Sequence, residues 1–293
     1  MSGTIRFSVM MATGLVLIAH IGVAQEFRVY TRVSDVGAEV YSKTQKRAAP
    51  PIVARSLSLF RAGKAYDYLG SVGEVIIFEP IRRRFTIMNG TTRMISTLTF
   101  DEIEQYIERA GSQMKTYIVA LEKKGDTTSL KSIQSLRFQL DPIFNADYDP
   151  ALDQLTLNST HFRYVAGCVT AESTKSVDHE LFDEAVRIYL NYADWTARLN
   201  YVLNPQALAP APRLALNDVL RQGKRLPIQV DLQVDLEQSL HLRAEHKIHW
   251  NLDRKDRGDI RHWEMMLDDK TMYRVPIREY QRALLVSQLN RRR

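Results

Sequence analysis

The residues that could do chemistry are few. His179-Glu180-Leu181-Phe182-Asp183 has the opening of a zinc-protease helix, but that motif needs histidine at its first and fifth positions, and here the fifth is Asp183. His241, His246, His249 and His262 crowd one stretch. Strand alternation puts His241 and His249 on a polar face roughly 26 Å apart, too far to share an ion, and puts His246 on the apolar face. Gly70-Ser71-Val72-Gly73 is one residue short of a nucleophile elbow and reads as a turn. Cys168 is the one cysteine. It cannot form an intramolecular disulfide, and it reads as a buried thiol at a strand end. A pairing with His161 or His179 has nothing but proximity in sequence behind it. No glycine-rich phosphate loop occurs. No catalytic residue, metal or cofactor is expected. Tyr189, Tyr192 and Trp195, with Tyr201, share a long helix and are the candidates to line a ligand cleft; the same spacing also suits core packing.

The start of the chain predicts where it works. Arg6 precedes an apolar run from Phe7 to Val23, and Gly22-Val23-Ala24 supplies small residues before Gln25. That is the order of a cleavable export signal. The run is ~17 residues, at the short edge of what spans a bilayer, so an uncleaved anchor is the alternative. Residues 1–24 are read as the signal and 25–293 as one domain, exported to the periplasm or beyond. No later stretch is apolar enough to span a membrane. The net charge is +6. Its basic runs, Arg82-Arg83-Arg84 and Arg291-Arg292-Arg293, accompany no nucleic-acid motif, so nucleic acid is not an expected partner.

The elements that must position these side chains are mostly strands. Phe27, Val29, Thr31 and Val33 alternate with polar residues, the period of a half-buried strand. Residues 34–51 read as a loop. Two strands flank Ala62-Gly63-Lys64, another spans 74–79, and Asn89-Gly90 predicts a type I′ hairpin between 85–88 and 91–98. Thr99 with Glu102 predicts a capping box for a helix over 100–124 that Gly125 ends. A short helix over 129–140 stops at Asp141-Pro142. Strand returns over 152–168. Asp178 caps a helix through Asn204, stopped by Pro205, and a second helix spans 213–222. A hairpin joins 228–236 to 240–252. Residues 254–259 read as a charged loop, 261–267 and 271–277 as a last hairpin, and 278–289 as a helix. No repeat of fixed period is read.

This order predicts an α+β fold: a curved antiparallel sheet, an open half-barrel, with helices packed on one face. The layout, with strand pairs such as Lys64-Ala65-Tyr66-Asp67-Tyr68 and Glu74-Val75-Ile76-Ile77-Phe78, resembles the periplasmic lipoprotein-carrier fold over most of residues 26–277. No ligand-binding residue of that family maps onto a position here. Tyr192-Ala193-Asp194-Trp195 and Arg213-Leu214-Ala215-Leu216-Asn217 also look like uncharacterised secreted bacterial proteins, which implies no activity. The expected function is non-catalytic carriage of a lipid or other apolar small molecule. The alternatives are an envelope structural module with a protein partner, or a hydrolase without a local motif. An open apolar cleft between sheet and helices would favour the first.

Overall fold

A computed structural model describes residues 26–38, 49–125, 129–175, 177–204, 206–235 and 239–291. The signal segment, Pro205 and the Glu237-Gln238 turn lie outside them. The strands are β1 Phe27–Asp35, β2 Ile52–Arg61, β3 Lys64–Leu69, β4 Glu74–Glu79, β5 Arg84–Asn89, β6 Met94–Thr99, β7 Asn145–Asp149, β8 Gln154–Asn158, β9 Phe162–Val169, β10 Leu226–Val234, β11 Leu240–His249 and β12 Tyr273–Arg274. The helices are α1 Phe100–Lys124, α2 Ser129–Leu140, α3 His179–Leu203, α4 Ala211–Gln222, α5 Arg254–Asp268 and α6 Ile277–Arg291. The twelve strands form one sheet in the order β12-β6-β5-β4-β3-β2-β1-β11-β10-β9-β8-β7. Every pairing is antiparallel except β12 with β6. β12 and β7 are the two edges, so the sheet is open. The α+β antiparallel reading is borne out.

The β3–β6 meander corrects the expectation of no repeat. Its strands begin at Lys64, Glu74, Arg84 and Met94, ten residues apart. Each six-residue strand meets the next across a four-residue turn whose last residue is left-handed: Gly73 at φ 66°, Arg83 at 48°, Arg93 at 55°. The sequence conceals the period because glycine, the usual occupant of that position, appears only at the first turn.

The same rule corrects the Asn89-Gly90 turn. The Asn89 side-chain oxygen accepts from the backbone N–H of Thr91 and Thr92 at 2.9 and 3.0 Å. That draws the chain into the longer loop, and β6 starts at Met94 rather than Thr91. The two-residue turn lies instead between β2 and β3, where Ala62 and Gly63 both have positive φ, 50° and 73°.

The predicted caps are in place. Thr99 and Glu102 form the capping box of α1, and Gly125 ends it at φ 64°. The Glu180 N–H donates to Asp178 at 2.9 Å to start α3. Residues 254–267 differ from expectation: they are α5, neither loop nor strand. Asp253 and Asp256 make a capping box, and Ile260 and Trp263 fall on one buried helical side. The dense charges around them masked that period. Tyr273 and Arg274 consequently pair with β6, beside Met94 and Ile95.

The sheet buries both faces over its first half. Phe27, Phe60, Phe78 and Phe85 pack on one face with Phe182, Leu190 and Leu199 of α3 and Leu216 and Leu220 of α4. Leu59, Tyr66, Ile77 and Met88 face the other way, onto Ile260 and Trp263 of α5. Arg28 anchors α5 to β1 through Asp253 and Asp256 at 2.7 and 2.8 Å.

Candidate ligand cavity

Strand alternation sends every second residue of β1, β2, β3, β10 and β11 to the face beneath α3 and α4. In the first half of the sheet that face is filled by phenylalanines. Further along, the inward residues become smaller: Thr31 and Val33 on β1, Ser56 and Ser58 on β2, Ala244 on β11. The helices above contribute alanines there too, Ala193 and Ala197 among them. Small residues on both walls leave a cavity of about 560 Å³, within the size range of small-molecule sites. Most of its lining is apolar, with Leu69, Ile76, Val230 and Leu232 as the bulkier members.

Polar groups gather at two places. At the first, the Ser58 hydroxyl donates to Asp67 at 2.7 Å. Burial pushes the Asp67 carboxyl above the usual carboxylate range, and hydroxyls of Ser58, Tyr192 and Ser56 hold it down in part. At the second, Thr31 Oγ1 and His246 Nδ1 lie 3.0 Å apart. His246 Nε2 is buried with no hydrogen-bond partner. Burial, aided by the charge of Arg213, pushes the imidazole down to about 3, so it is neutral near pH 7. β3 and β11 are three strand spacings apart, roughly 14 Å, so Asp67 and His246 cannot act on one bond.

Of the aromatic candidates, Tyr189 and Tyr192 line the cavity. Tyr192 meets Phe60 edge-on with ring centroids 5.3 Å apart, and Tyr189 meets His246 in the same way at 6.2 Å. Trp195 stacks instead on Phe100 at 3.5 Å, and Tyr201 packs on Tyr106. Asp67, Arg213 and the role of His246 were not read from sequence. The available signal was a charged or polar residue on the apolar face of an alternating strand: Asp67 between Ala65 and Leu69, His246 between Ala244 and Ile248.

The remaining sequence candidates lie apart from one another. Cys168 is buried and donates to the Ala166 carbonyl at 3.4 Å; burial pushes its thiol up to about 11. His161 bonds Gln134, and Asp183 pairs with Lys224 at 2.5 Å. His262 lies on α5, across the sheet from His246. Gly70–Gly73 is the β3–β4 turn. Among the described residues no three His, Cys, Asp or Glu are placed to hold a metal ion, and no helix is long and apolar enough to cross a membrane.

No protein-family model matches this chain. A search of curated proteins finds no match either. The cavity is therefore read on its own chemistry.

Proposed function

We propose that this chain is an exported, non-catalytic carrier that binds a lipid or another apolar small molecule beneath α3 and α4. The observation that carries this reading is the mainly apolar cavity of about 560 Å³ between sheet and helices. A core built only for stability closes such a space, because native interiors pack densely and voids cost free energy. The resemblance to the periplasmic lipoprotein-carrier fold and the export-signal pattern point the same way.

The envelope-module reading draws less support. The edge strand β7 carries Asp147 and Asp149, and charges of that kind discourage pairing with another chain. A hydrolase needs titratable groups that converge, and Asp67 and His246 do not.

Native mass spectrometry of protein purified from the exported fraction tests the proposal, together with titration by the neutral fluorophore N-phenyl-1-naphthylamine. A co-purifying apolar molecule, or saturable dye binding that Ala193→Trp abolishes in a folded variant, is the expected result. A ligand-free protein that does not bind the dye overturns it.

A further inference from the structure

The two polar ends of the cavity differ in charge. Asp67 is turned onto Ser58, Ser56 and Tyr192, which already serve it. Arg213, at the His246 end, is held differently. Its Nε donates to Asn217 Oδ1 at 3.1 Å. Asn217 is fully buried and donates to Asp194 at 2.8 Å. The other oxygen of Asp194 is bound by Arg221. This chain of bonds orients Arg213, while Asp194, the carboxylate it leads to, is bound by a different arginine. Among the described residues no carboxylate forms an ion pair with Arg213.

That uncompensated charge faces inward, where it acts on His246, Tyr164 and Tyr189. One further feature of this end favours an anion. Pro210 and Arg213, at the start of α4, form part of the wall, and Pro210 gives that helix no side-chain cap, so the positive end of its dipole is not quenched. The second, independent observation is His246 Nε2, buried without a partner. In the tautomer that accepts the Thr31 hydroxyl at Nδ1, the proton of the neutral ring sits on Nε2 as a donor in want of an acceptor.

We infer that the occupant is a single-chain aliphatic carboxylate, a fatty acid by chemical class, with its headgroup between the Arg213 guanidinium and His246 Nε2 and its tail along the apolar wall. This rests on the carrier reading above. A guanidinium edge and one imidazole N–H match the two oxygens of a carboxylate. The tail runs over Val33 and Ala54, on the two strands between the polar ends, toward Leu69 and Ile76.

The test is displacement of N-phenyl-1-naphthylamine from the full protein by dodecanoate and, separately, by 1-dodecanol, which shares the tail and lacks the charge. The wild-type protein is expected to prefer dodecanoate by roughly tenfold or more, the scale of a charge-assisted hydrogen bond. Arg213→Gln should weaken dodecanoate at least tenfold more than dodecanol, and Arg213→Lys should recover part of the preference. Equal affinity of the wild-type protein for acid and alcohol overturns the inference, and needs no variant to fold. So does a preference that survives Arg213→Gln. In both cases the dye still binds and the carrier reading stands. A ligand-free wild-type protein that does not bind the dye removes both.

Discussion

Thr31 and His246 are direct cross-strand neighbours in the β1–β11 register, and their side chains meet at 3.0 Å between Oγ1 and Nδ1. The pairing fixes the imidazole plane and aims the unpartnered Nε2 away from β1. It also makes the ring a source of acid sensitivity. The folded-state pKa is pushed down to about 3 from the ordinary 6.5, first by burial and then by Arg213. Between those values the unfolded chain takes up the proton and the folded chain does not. The stability present above pH 6.5 is therefore lost as pH falls, by up to ~1.4 kcal/mol per unit. His246→Gln should lose less stability than wild type between pH 7 and pH 4.5 in urea unfolding. Parallel losses in the two proteins would contradict a buried neutral histidine.

Asp67 has the opposite sign. Burial raises its pKa above the ordinary carboxylate value, so the folded state binds the proton first and stability from this group is gained as pH falls through the folded value. Asp67→Asn keeps an acceptor for Ser58 and removes the desolvated charge. It should melt above wild type at pH 8, with the difference vanishing near pH 4. A variant that is less stable at pH 8 would show that the ionised carboxylate is well accommodated.

Tyr280 of α6 donates to the buried Glu74 at 2.8 Å. Burial pushes the Glu74 carboxyl up, and this hydrogen bond holds it down. Tyr280→Phe leaves a buried acceptor without its donor, at a cost of about 1–3 kcal/mol. Chemical denaturation at pH 7 measures it. A cost below ~0.5 kcal/mol would place Glu74 in contact with water instead.

The start of α5 depends on Asp253, whose side chain accepts from the Asp256 N–H at 2.9 Å and pairs with Arg28. Asp253→Ala should cost ~1 kcal/mol for the lost cap. Arg28→Met should cost more, because Asp256, with its side chain only 3% exposed, then keeps its charge without a cation. The order of the two midpoints in urea is the readout. A costlier cap would mean that Asp256 is stabilised by its backbone bonds alone.

Local patterns in the chain were enough to read the strands, the caps and the general class. The alternation of Phe27, Val29, Thr31 and Val33 and the Thr99–Glu102 box act between residues two to four apart, so the chain states them directly. The ten-residue meander and α5 were written in the chain too, but competing signals hid them: arginines at two of the three left-handed turn positions, and a run of charges ahead of Ile260 and Trp263. Neither the sheet order nor the cavity had a local signature. β1 lies between β2 and β11, and that adjacency brings Thr31, Ser56 and His246 into one row. It arises because burying apolar surface is non-directional and rewards the arrangement that covers most of it, whatever the distance along the chain. Tertiary packing decided that Tyr189 and Tyr192 face the cavity while Trp195 stacks on Phe100. It also decided that Asp194 is spent on Arg221, which leaves Arg213 to face an apolar space with its charge unpaired.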